Sequence, residues 1–167
     1  GNMAQMIESV EGYKLERKLR GGVVTGVNPQ GVYLPEGEIR NLGAEHGNLL
    51  RLVRTYTKDE QTRYEFAIAD KRSEPQPERI QLDFCLVSLD EENQVYYADM
   101  FAPDLVDQEI MSDGKRYRIT IKEEDMKHFK IEAGDRVDIA YWFNNISGAK
   151  VIWKHLPESN VRKSLRA

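Results

Sequence analysis

The chain has a single cysteine, Cys85, and only three histidines among its 167 residues. One cysteine excludes an intrachain disulfide, and with no signal-like segment at the start it favours a cytoplasmic location. Cys85 lies in the apolar run LDFCLVSL and is expected to be buried. The histidines show no metal-ligand spacing, so we expect no metal or other cofactor. His46 and His128 are interpreted as exposed helix or turn residues.

No apolar run approaches the roughly 18 residues that a membrane-spanning helix requires, so no membrane association is expected. Phosphate-loop, dinucleotide-binding and nucleophile-elbow motifs are also absent from the sequence. Carboxylates are plentiful, but no pair stands out as an acid and a base. The sequence therefore gives no support for catalysis, and whether the protein is an enzyme stays open.

Charge is unevenly distributed along a chain whose net charge is −4. The segment Asp83–Gly114 holds nine acidic residues and no lysine or arginine, so the remainder of the chain carries +5. Four basic residues follow this acidic segment closely: Lys115, Arg116, Arg118 and Lys122. Such asymmetry is typical of a surface that binds a polyanion, and it is equally compatible with an ordinary solvated surface.

The most informative feature is an internal repeat. Residues Tyr33–Val53 (YLPEGEIRNLGAEHGNLLRLV) and Thr120–Ala140 (TIKEEDMKHFKIEAGDRVDIA) align without a gap at an offset of 87. Identities are few, but the apolar positions agree throughout the two windows. Each window contains an i, i+3 apolar pair, which predicts a short helix, followed by alternating apolar residues, which predict a strand.

Charge and glycine positions support the same interpretation. Acidic residues open each predicted helix and basic residues close it, as the helix dipole favours. Pro35 fits the first helical position, and Gly43 fits a C-terminal cap that the second copy, with Lys130, lacks. Gly47 and Gly134 are predicted to take a positive φ in the turn before the next strand. A duplication is favoured over two unrelated pieces that look alike because β-proteins share turn chemistry.

Turn residues divide the rest of the chain into short strands. The segment 4–20 is interpreted as a loose helix or strand that leads into the fold, and strands are predicted at 23–27, 32–34, 49–56, 63–69, 80–89, 94–100, 117–121, 136–143 and 150–154. We therefore expect a mainly β, barrel-like fold with two pseudo-symmetric strand–short helix–strand halves and β-hairpins. A single domain is expected over residues 12–157. Its halves, 20–72 and 80–157, are separated by the proline-containing segment Ser73–Glu78, and 158–167 are expected to form a flexible basic tail.

Aromatic residues cluster near the end of the second half. Tyr141, Trp142 and Phe143 are consecutive, and Trp153 lies on the strand predicted to pair with them. Such residues can form a platform on which bases stack. The alternative, that they cover the two faces of a sheet, is favoured.

The segment Tyr117–Ala140 resembles the swapped-hairpin DNA-binding domains of AbrB-type transition-state regulators and MazE-type antitoxins. Their pattern is a strand, an I-P-k-e opening, a short helix, a G-i-k-x-G-D turn and a second strand. Here Ile119–Glu123 corresponds to the opening and Ile131–Asp135 to the turn. Lys122 replaces the usual proline, but the first copy supplies one in Tyr33–Glu36.

The resemblance implies that two such units, carried by one chain, form a barrel that binds duplex DNA and regulates transcription. Basic residues near the opening strand and loops contact DNA in this family. The corresponding candidates for phosphate contacts are Lys115, Arg116, Arg118 and Lys122 in the second half, with Arg40, Arg51 and Arg54 in the first. These contacts position DNA without reading its bases.

Two further functions stay open. The acidic segment Asp83–Gly114 can bind a basic protein partner, as an antitoxin-like module does. Related cradle-loop barrels include enzymes that act on small ligands, which is the third alternative. An oligomer is compatible with each of these functions.

Overall fold

A computed structural model describes residues 12–100 and 117–157 of the chain. The chain divides into two compact units, residues 1–76 (unit 1) and 77–167 (unit 2). The boundary lies inside the proline-containing segment Ser73–Glu78. The prediction of a mainly β, barrel-like fold with two strand–short helix–strand halves is confirmed. The predicted basic tail, 158–167, lies outside the described residues.

Unit 1 contains one antiparallel sheet of five strands in the order β3-β2-β1-β4-β5. The elements of this unit are β1 (Tyr13–Arg17), β2 (Gly22–Thr25), β3 (Val32–Leu34), helix α1 (Glu36–Leu42), β4 (Leu49–Lys58) and β5 (Gln61–Asp70). Its core is built by apolar residues from the sheet and from α1: Leu15, Val24, Leu34, Ile39, Leu50 and Phe66. Strand β1 lies in the segment expected to be a loose lead-in, so the sheet begins earlier than the first predicted strand.

Unit 2 repeats this arrangement. Its elements are β6 (Arg79–Asp90), β7 (Val95–Met100), β8 (Tyr117–Thr120), helix α2 (Glu123–Phe129), β9 (Arg136–Trp142) and β10 (Asn145–Lys154). The strand order is β10-β9-β6-β7-β8. When this order is read from the other edge of the sheet, β8-β7-β6-β9-β10, each strand is the one five places later than its counterpart in unit 1. The repeat therefore extends beyond the two aligned windows to all five strands and the helix of each unit.

The two windows agree in local detail at the predicted offset of 87. Both helices contain 7 residues, and the strand after each helix starts at the corresponding position, Leu49 or Arg136. The turn between helix and strand contains the same hydrogen bond in both copies. The Glu45 amide donates to Asn48 Oδ1 over 2.8 Å, and the Glu132 amide donates to Asp135 Oδ2 over 2.8 Å. Asn and Asp fill this position because both side chains offer an oxygen acceptor.

The helix ends correct two expectations. Pro35 has extended backbone angles and is the N-cap of α1, so the helix begins at Glu36. Lys130 adopts the left-handed conformation with φ 52°, as Gly43 does with φ 66°. The second helix therefore ends with the same backbone device as the first, although it lacks the glycine.

Two hairpins are tighter than predicted. Only Asp59 and Glu60 connect β4 to β5, and both have positive φ, 53° and 64°, as a type I′ turn requires. Strands β9 and β10 are likewise joined by two residues, Phe143 and Asn144. The predicted strands leave residues 57–62 (TKDEQT) and 144–148 (NNISG) in the turns, whereas most of these residues belong to strands in the structure.

A buried ion pair fixes helix α1 to strand β1. The Arg17 guanidinium donates to Glu36 Oε1 over 2.9 Å and to Oε2 over 3.0 Å, and both side chains are buried. The Gly21 amide also donates to Glu36 Oε1 over 2.8 Å. His46, expected to be exposed, is instead half-buried, and its Nδ1 accepts a hydrogen bond from the Arg17 amide over 3.1 Å.

The glycines of the conserved turn provide a matched stability test. Gly47 has φ 88° and Gly134 has φ 95°, and a side chain is strained at either position. A Cβ at Gly134 meets nothing within 4 Å, whereas a Cβ at Gly47 lies 2.6 Å from the Glu74 amide nitrogen. We expect Gly134→Val to lower the free energy of unfolding by about 1–3 kcal/mol. Gly47→Val is expected to lower it further in urea titrations, and the reverse order would contradict the turn geometry.

Candidate nucleic-acid interface

The predicted basic residues of unit 2 lie partly outside the described part of the chain. Lys115 and Arg116 fall there, so their prediction stands as made. Arg118 lies on β8, where its Nε is 3.2 Å from Asp99 Oδ1 and its guanidinium lies 3.7 Å from the centroid of the Tyr97 ring. Lys122 is the N-cap of α2 and is half-buried. The charge of Arg118 is thus already balanced by a carboxylate.

The predicted basic residues of unit 1 differ in their surroundings. Arg40 Nε on α1 lies 3.5 Å from Glu36 Oε2, close to the buried ion pair. Arg54 Nε lies 3.4 Å from Glu65 Oε2 across the hairpin. Arg51 is exposed on β4 and forms no ion pair with any residue that the structure describes. The seven predicted residues are therefore divided between the units, and three of those described are already ion-paired.

The outer part of the β4–β5 hairpin is the most exposed element of unit 1. We call residues Val53–Glu65 the ribbon. Every residue from Val53 to Arg63 is exposed, so this two-stranded segment extends beyond the core, which ends at Leu52 and Phe66. The six residues of β4 that belong to the ribbon, Val53–Lys58, span roughly 20 Å. A two-stranded ribbon gains little stability by itself, so the length of this segment is not explained by the stability of unit 1.

The ribbon carries cations that the described parts of the chain do not neutralise. Lys58 and Arg63 make no ion pair with the described residues, in contrast to Arg54. The surrounding charge opposes an anion less in unit 1 than in unit 2. Unit 1, residues 1–76, contains eleven basic and eleven acidic residues and is neutral, whereas unit 2, residues 77–167, contains thirteen basic and seventeen acidic residues, a net charge of −4. Of the two, unit 1 is the one suited to a polyanion.

A groove lies between the ribbon, the β2–β3 turn and the first turn of α1. Its volume is about 520 Å³. Three tyrosines and four charged side chains contribute to the lining: Tyr33, Tyr56, Tyr64, Glu38, Lys58, Asp59 and Arg63. A neighbouring depression of about 280 Å³ shares Glu38, Tyr56 and Tyr64 and continues along α1 to Leu42 and Phe66. We call the two together the tyrosine groove.

The side chains of the tyrosine groove are available to a ligand. Tyr33 is 57% exposed. The Tyr64 ring is held by stacking on Phe66, with 6.4 Å between the ring centroids. Arg54 covers one side of Tyr56, with its guanidinium 4.8 Å from the ring centroid. The Glu38 carboxylate makes no hydrogen bond or ion pair with residues 12–100 or 117–157, so the groove presents flat rings beside uncommitted charges of both signs.

The aromatic cluster singled out in the sequence has a different role. Tyr141 is fully buried in the core of unit 2, which excludes it from a stacking platform. Trp142 and Trp153 are half-buried, and only Phe143, 48% exposed, presents its ring to solvent. The interpretation of these residues as the two faces of a sheet is the one the structure supports.

Unit 2 contains a histidine–aspartate pair that no spacing in the sequence predicts. His155 Nε2 lies 2.7 Å from Oδ1 of Asp138, which is buried. The same oxygen accepts the Phe84 amide over 2.9 Å and holds Phe84 at φ 59°, a strained conformation for an aromatic residue. Such a pair can orient a general base, but the adjacent thiol is not activated, because burial raises the pKa of Cys85 to about 12.

The described residues contain no group of three or more histidine, cysteine, aspartate or glutamate side chains placed to hold a metal ion. None of the helices in the described ranges is long and apolar enough to cross a membrane. Comparisons with known protein families, with curated proteins and with solved structures gave no match.

The burial of Cys85 predicts slow thiol chemistry in the folded protein. With a pKa of about 12 instead of the ordinary 9.0, the thiolate fraction at pH 8 falls roughly a thousandfold. We expect Ellman's reagent to react with native protein at least that much more slowly than with protein unfolded in urea. Equal rates in the two states would show that Cys85 is accessible and would contradict the packing of unit 2.

Proposed function

We propose that the protein is a DNA-binding regulatory module that contacts backbone phosphates through the ribbon of unit 1. The observation that carries this proposal is the exposed ribbon with its uncommitted cations, Lys58 and Arg63, in unit 1, which is neutral whereas unit 2 carries −4. Arg51 and Arg54 extend the same basic strand toward the core. Phosphate contacts of this kind supply most of the affinity of a protein for DNA and depend strongly on salt.

The shape of the ribbon supports the same function. The major groove of B-DNA, about 12 Å wide, admits a two-stranded antiparallel ribbon. The tight turn at Asp59 and Glu60 narrows the tip, and Thr55, Thr57 and Thr62 provide exposed hydroxyl groups beside the cations. The two acidic residues at the tip oppose close contact with phosphates, so the contacts are expected along the sides of the ribbon.

The resemblance to AbrB-type domains supports DNA as the polyanion. On the same ground, we propose that Lys115, Arg116 and Lys122 make additional contacts to phosphates. Arg118 is the weakest of the predicted residues, because Asp99 and Tyr97 already engage its guanidinium. Phosphate binding by Arg118 requires that it leave both partners.

An acidic surface that binds a basic protein is the second candidate. The β6–β7 turn presents Glu91 and Glu92 in exposed positions, beside Asp90, which is half-buried at the end of β6. Hydrogen bonds from the Asn93 side chain and amide hold the pKa of Asp90 below its usual range, so this carboxylate stays ionised. Co-purification of a basic protein that is lost on Glu91→Gln/Glu92→Gln substitution favours this function over DNA binding.

The ribbon proposal predicts the salt dependence of duplex binding. On B-DNA the logarithm of affinity falls with the logarithm of salt concentration by about 0.9 for each neutralised phosphate. The double variant Lys58→Ala/Arg63→Ala is therefore expected to flatten this slope by up to roughly two and to weaken all duplex sequences similarly. The measurement is fluorescence anisotropy of a labelled duplex titrated with protein at several salt concentrations.

Two further variants serve as controls. Lys127→Ala removes an exposed charge that pairs with Glu123 on α2, and it should leave the slope unchanged. Arg118→Ala/Lys122→Ala tests the opening of the second repeat. A slope that responds to this pair and not to the ribbon variant moves the interface to unit 2, and no duplex binding at about 50 mM salt rejects the DNA proposal.

A further inference from the structure

We propose that the tyrosine groove binds one unpaired nucleotide whose base carries an amino group, with guanine preferred. The base stacks on the tyrosine rings, its edge donates to Glu38, and its phosphate contacts Lys58 and Arg63. This inference goes further than phosphate contact along a duplex, and it rests on the proposed function only in that both use the cations of the ribbon.

The rings of the groove suit a flat ligand. Tyr33 lies on β3, Tyr56 and Tyr64 lie on the two strands of the ribbon, and all three side chains line the groove. A volume of about 520 Å³ is within the range of sites that enclose a small ligand. Aromatic side chains beside basic residues are the usual means of binding unpaired bases, because every base offers a π-face.

The charges of the groove suit a ligand with a negative part and a hydrogen-bond-donating part. Lys58 and Arg63 form no ion pair with the described residues, and both line the groove. Glu38 also lines it and is likewise uncommitted. A polyanion without donor groups is repelled by Glu38, and a purely cationic ligand is repelled by Lys58 and Arg63. A nucleotide unit satisfies both sets, because its phosphate is anionic and its base edge carries donors.

The carboxylate of Glu38 selects among bases. A carboxylate only accepts hydrogen bonds. Guanine presents two adjacent donors, the N1 and N2 groups, and matches the two oxygens of a carboxylate. Cytosine and adenine present one amino group, whereas thymine presents a single imino donor between two carbonyl oxygens that repel Glu38. The groove is therefore expected to favour guanine and to disfavour thymine.

The two units anchor their helices through different carboxylates, and in unit 1 the anchor is not Glu38. Glu38 corresponds to Asp125 at the offset of 87. Asp125 is buried and accepts the Val151 amide over 3.0 Å, which attaches α2 to β10. In unit 1 the anchor is Glu36 instead, and its counterpart Glu123 is exposed. The exchange of roles leaves Glu38 free to face the groove.

Two sources of the ligand share this chemistry: an unpaired nucleotide within a DNA strand, and a free mononucleotide. We would measure anisotropy of a short labelled oligothymidine whose central base is thymine, cytosine, adenine or guanine. Competition by guanosine monophosphate distinguishes the free nucleotide. The variants are Glu38→Gln, which keeps the shape of the side chain, and Tyr33→Leu, which changes an exposed ring. Glu124→Gln, an exposed glutamate on α2, is the matched control.

The proposal expects the wild type to favour the guanine-containing strand over oligothymidine by about fivefold or more. Glu38→Gln should abolish that preference, and binding of oligothymidine should stay the same or become tighter, because the charge that repels the thymine carbonyl oxygens is removed. Tyr33→Leu should weaken binding of every single strand by about tenfold and leave duplex binding unchanged. Glu124→Gln should behave as wild type. Urea midpoints of the variants within error of wild type show that the effects are not losses of folding.

Other outcomes separate this inference from the proposed function. Equal affinity for the four strands overturns the inference, and duplex binding that Lys58→Ala/Arg63→Ala weakens then leaves the proposed function standing. Glu38-dependent binding of guanosine monophosphate, without binding of single-stranded or duplex DNA, supports the groove as a free-nucleotide site and rejects the DNA proposal. No binding of any nucleotide or strand overturns both.

Discussion

The buried carboxylate of Glu36 determines the geometry of the candidate interface. It accepts two hydrogen bonds from Arg17 and one from the Gly21 amide, and so ties the first turn of α1 to β1 and to the β1–β2 turn. Loss of one partner of such a pair leaves a buried charge, which typically costs 3–5 kcal/mol. Glu38 lies two residues after Glu36 and therefore projects from a different face of α1. The attachment that turns Glu36 toward the core consequently turns Glu38 toward the ribbon. The shape of the tyrosine groove therefore depends on the buried Arg17–Glu36 ion pair, which does not line the groove itself.

The two units show how one architecture supports different surfaces. Strand order, helix length and the glycine-containing turn are the same in both, while the residues that anchor the helix have exchanged places. Unit 1 uses Glu36 and leaves Glu38 exposed, whereas unit 2 uses Asp125 and leaves Glu123 exposed. Either carboxylate can secure a helix end, because a buried carboxylate needs only donors with good geometry. The remaining carboxylate is then available for a function specific to its unit.

The repeated windows could be predicted because their signals are local. Apolar spacing predicted the helices, and Gly47 and Gly134 have the positive φ expected of them. The sequence left helix and strand open for β1, because the apolar residues of YKLER alternate with charged ones and one of its two buried members, Arg17, is charged. That arginine is buried only because Glu36, 19 residues away, pairs with it. Such a partner cannot be recognised from local pattern.

The groove was not predicted for a related reason. Its residues come from the β2–β3 turn, α1 and the ribbon, and no spacing in the sequence links Tyr33 to Tyr64. Pairing of β4 with β5 and the attachment of α1 bring these segments together. The one available signal was the run from Thr55 to Tyr64, which contains two tyrosines among polar and charged residues and has no aliphatic residue to form an apolar face. That pattern indicates a strand pair exposed on both sides, and therefore a surface that serves a partner rather than the core.

The central claim is that nucleic acid binds to unit 1 at the ribbon and the tyrosine groove. The most direct test is to follow the backbone amide signals of ¹⁵N-labelled protein by nuclear magnetic resonance while a guanine-containing single strand is added. The account predicts that the largest shifts cluster at Tyr33, Glu38 and the residues from Tyr56 to Tyr64. Shifts centred on Arg118–Lys122 in unit 2, with the ribbon signals unchanged, would contradict it.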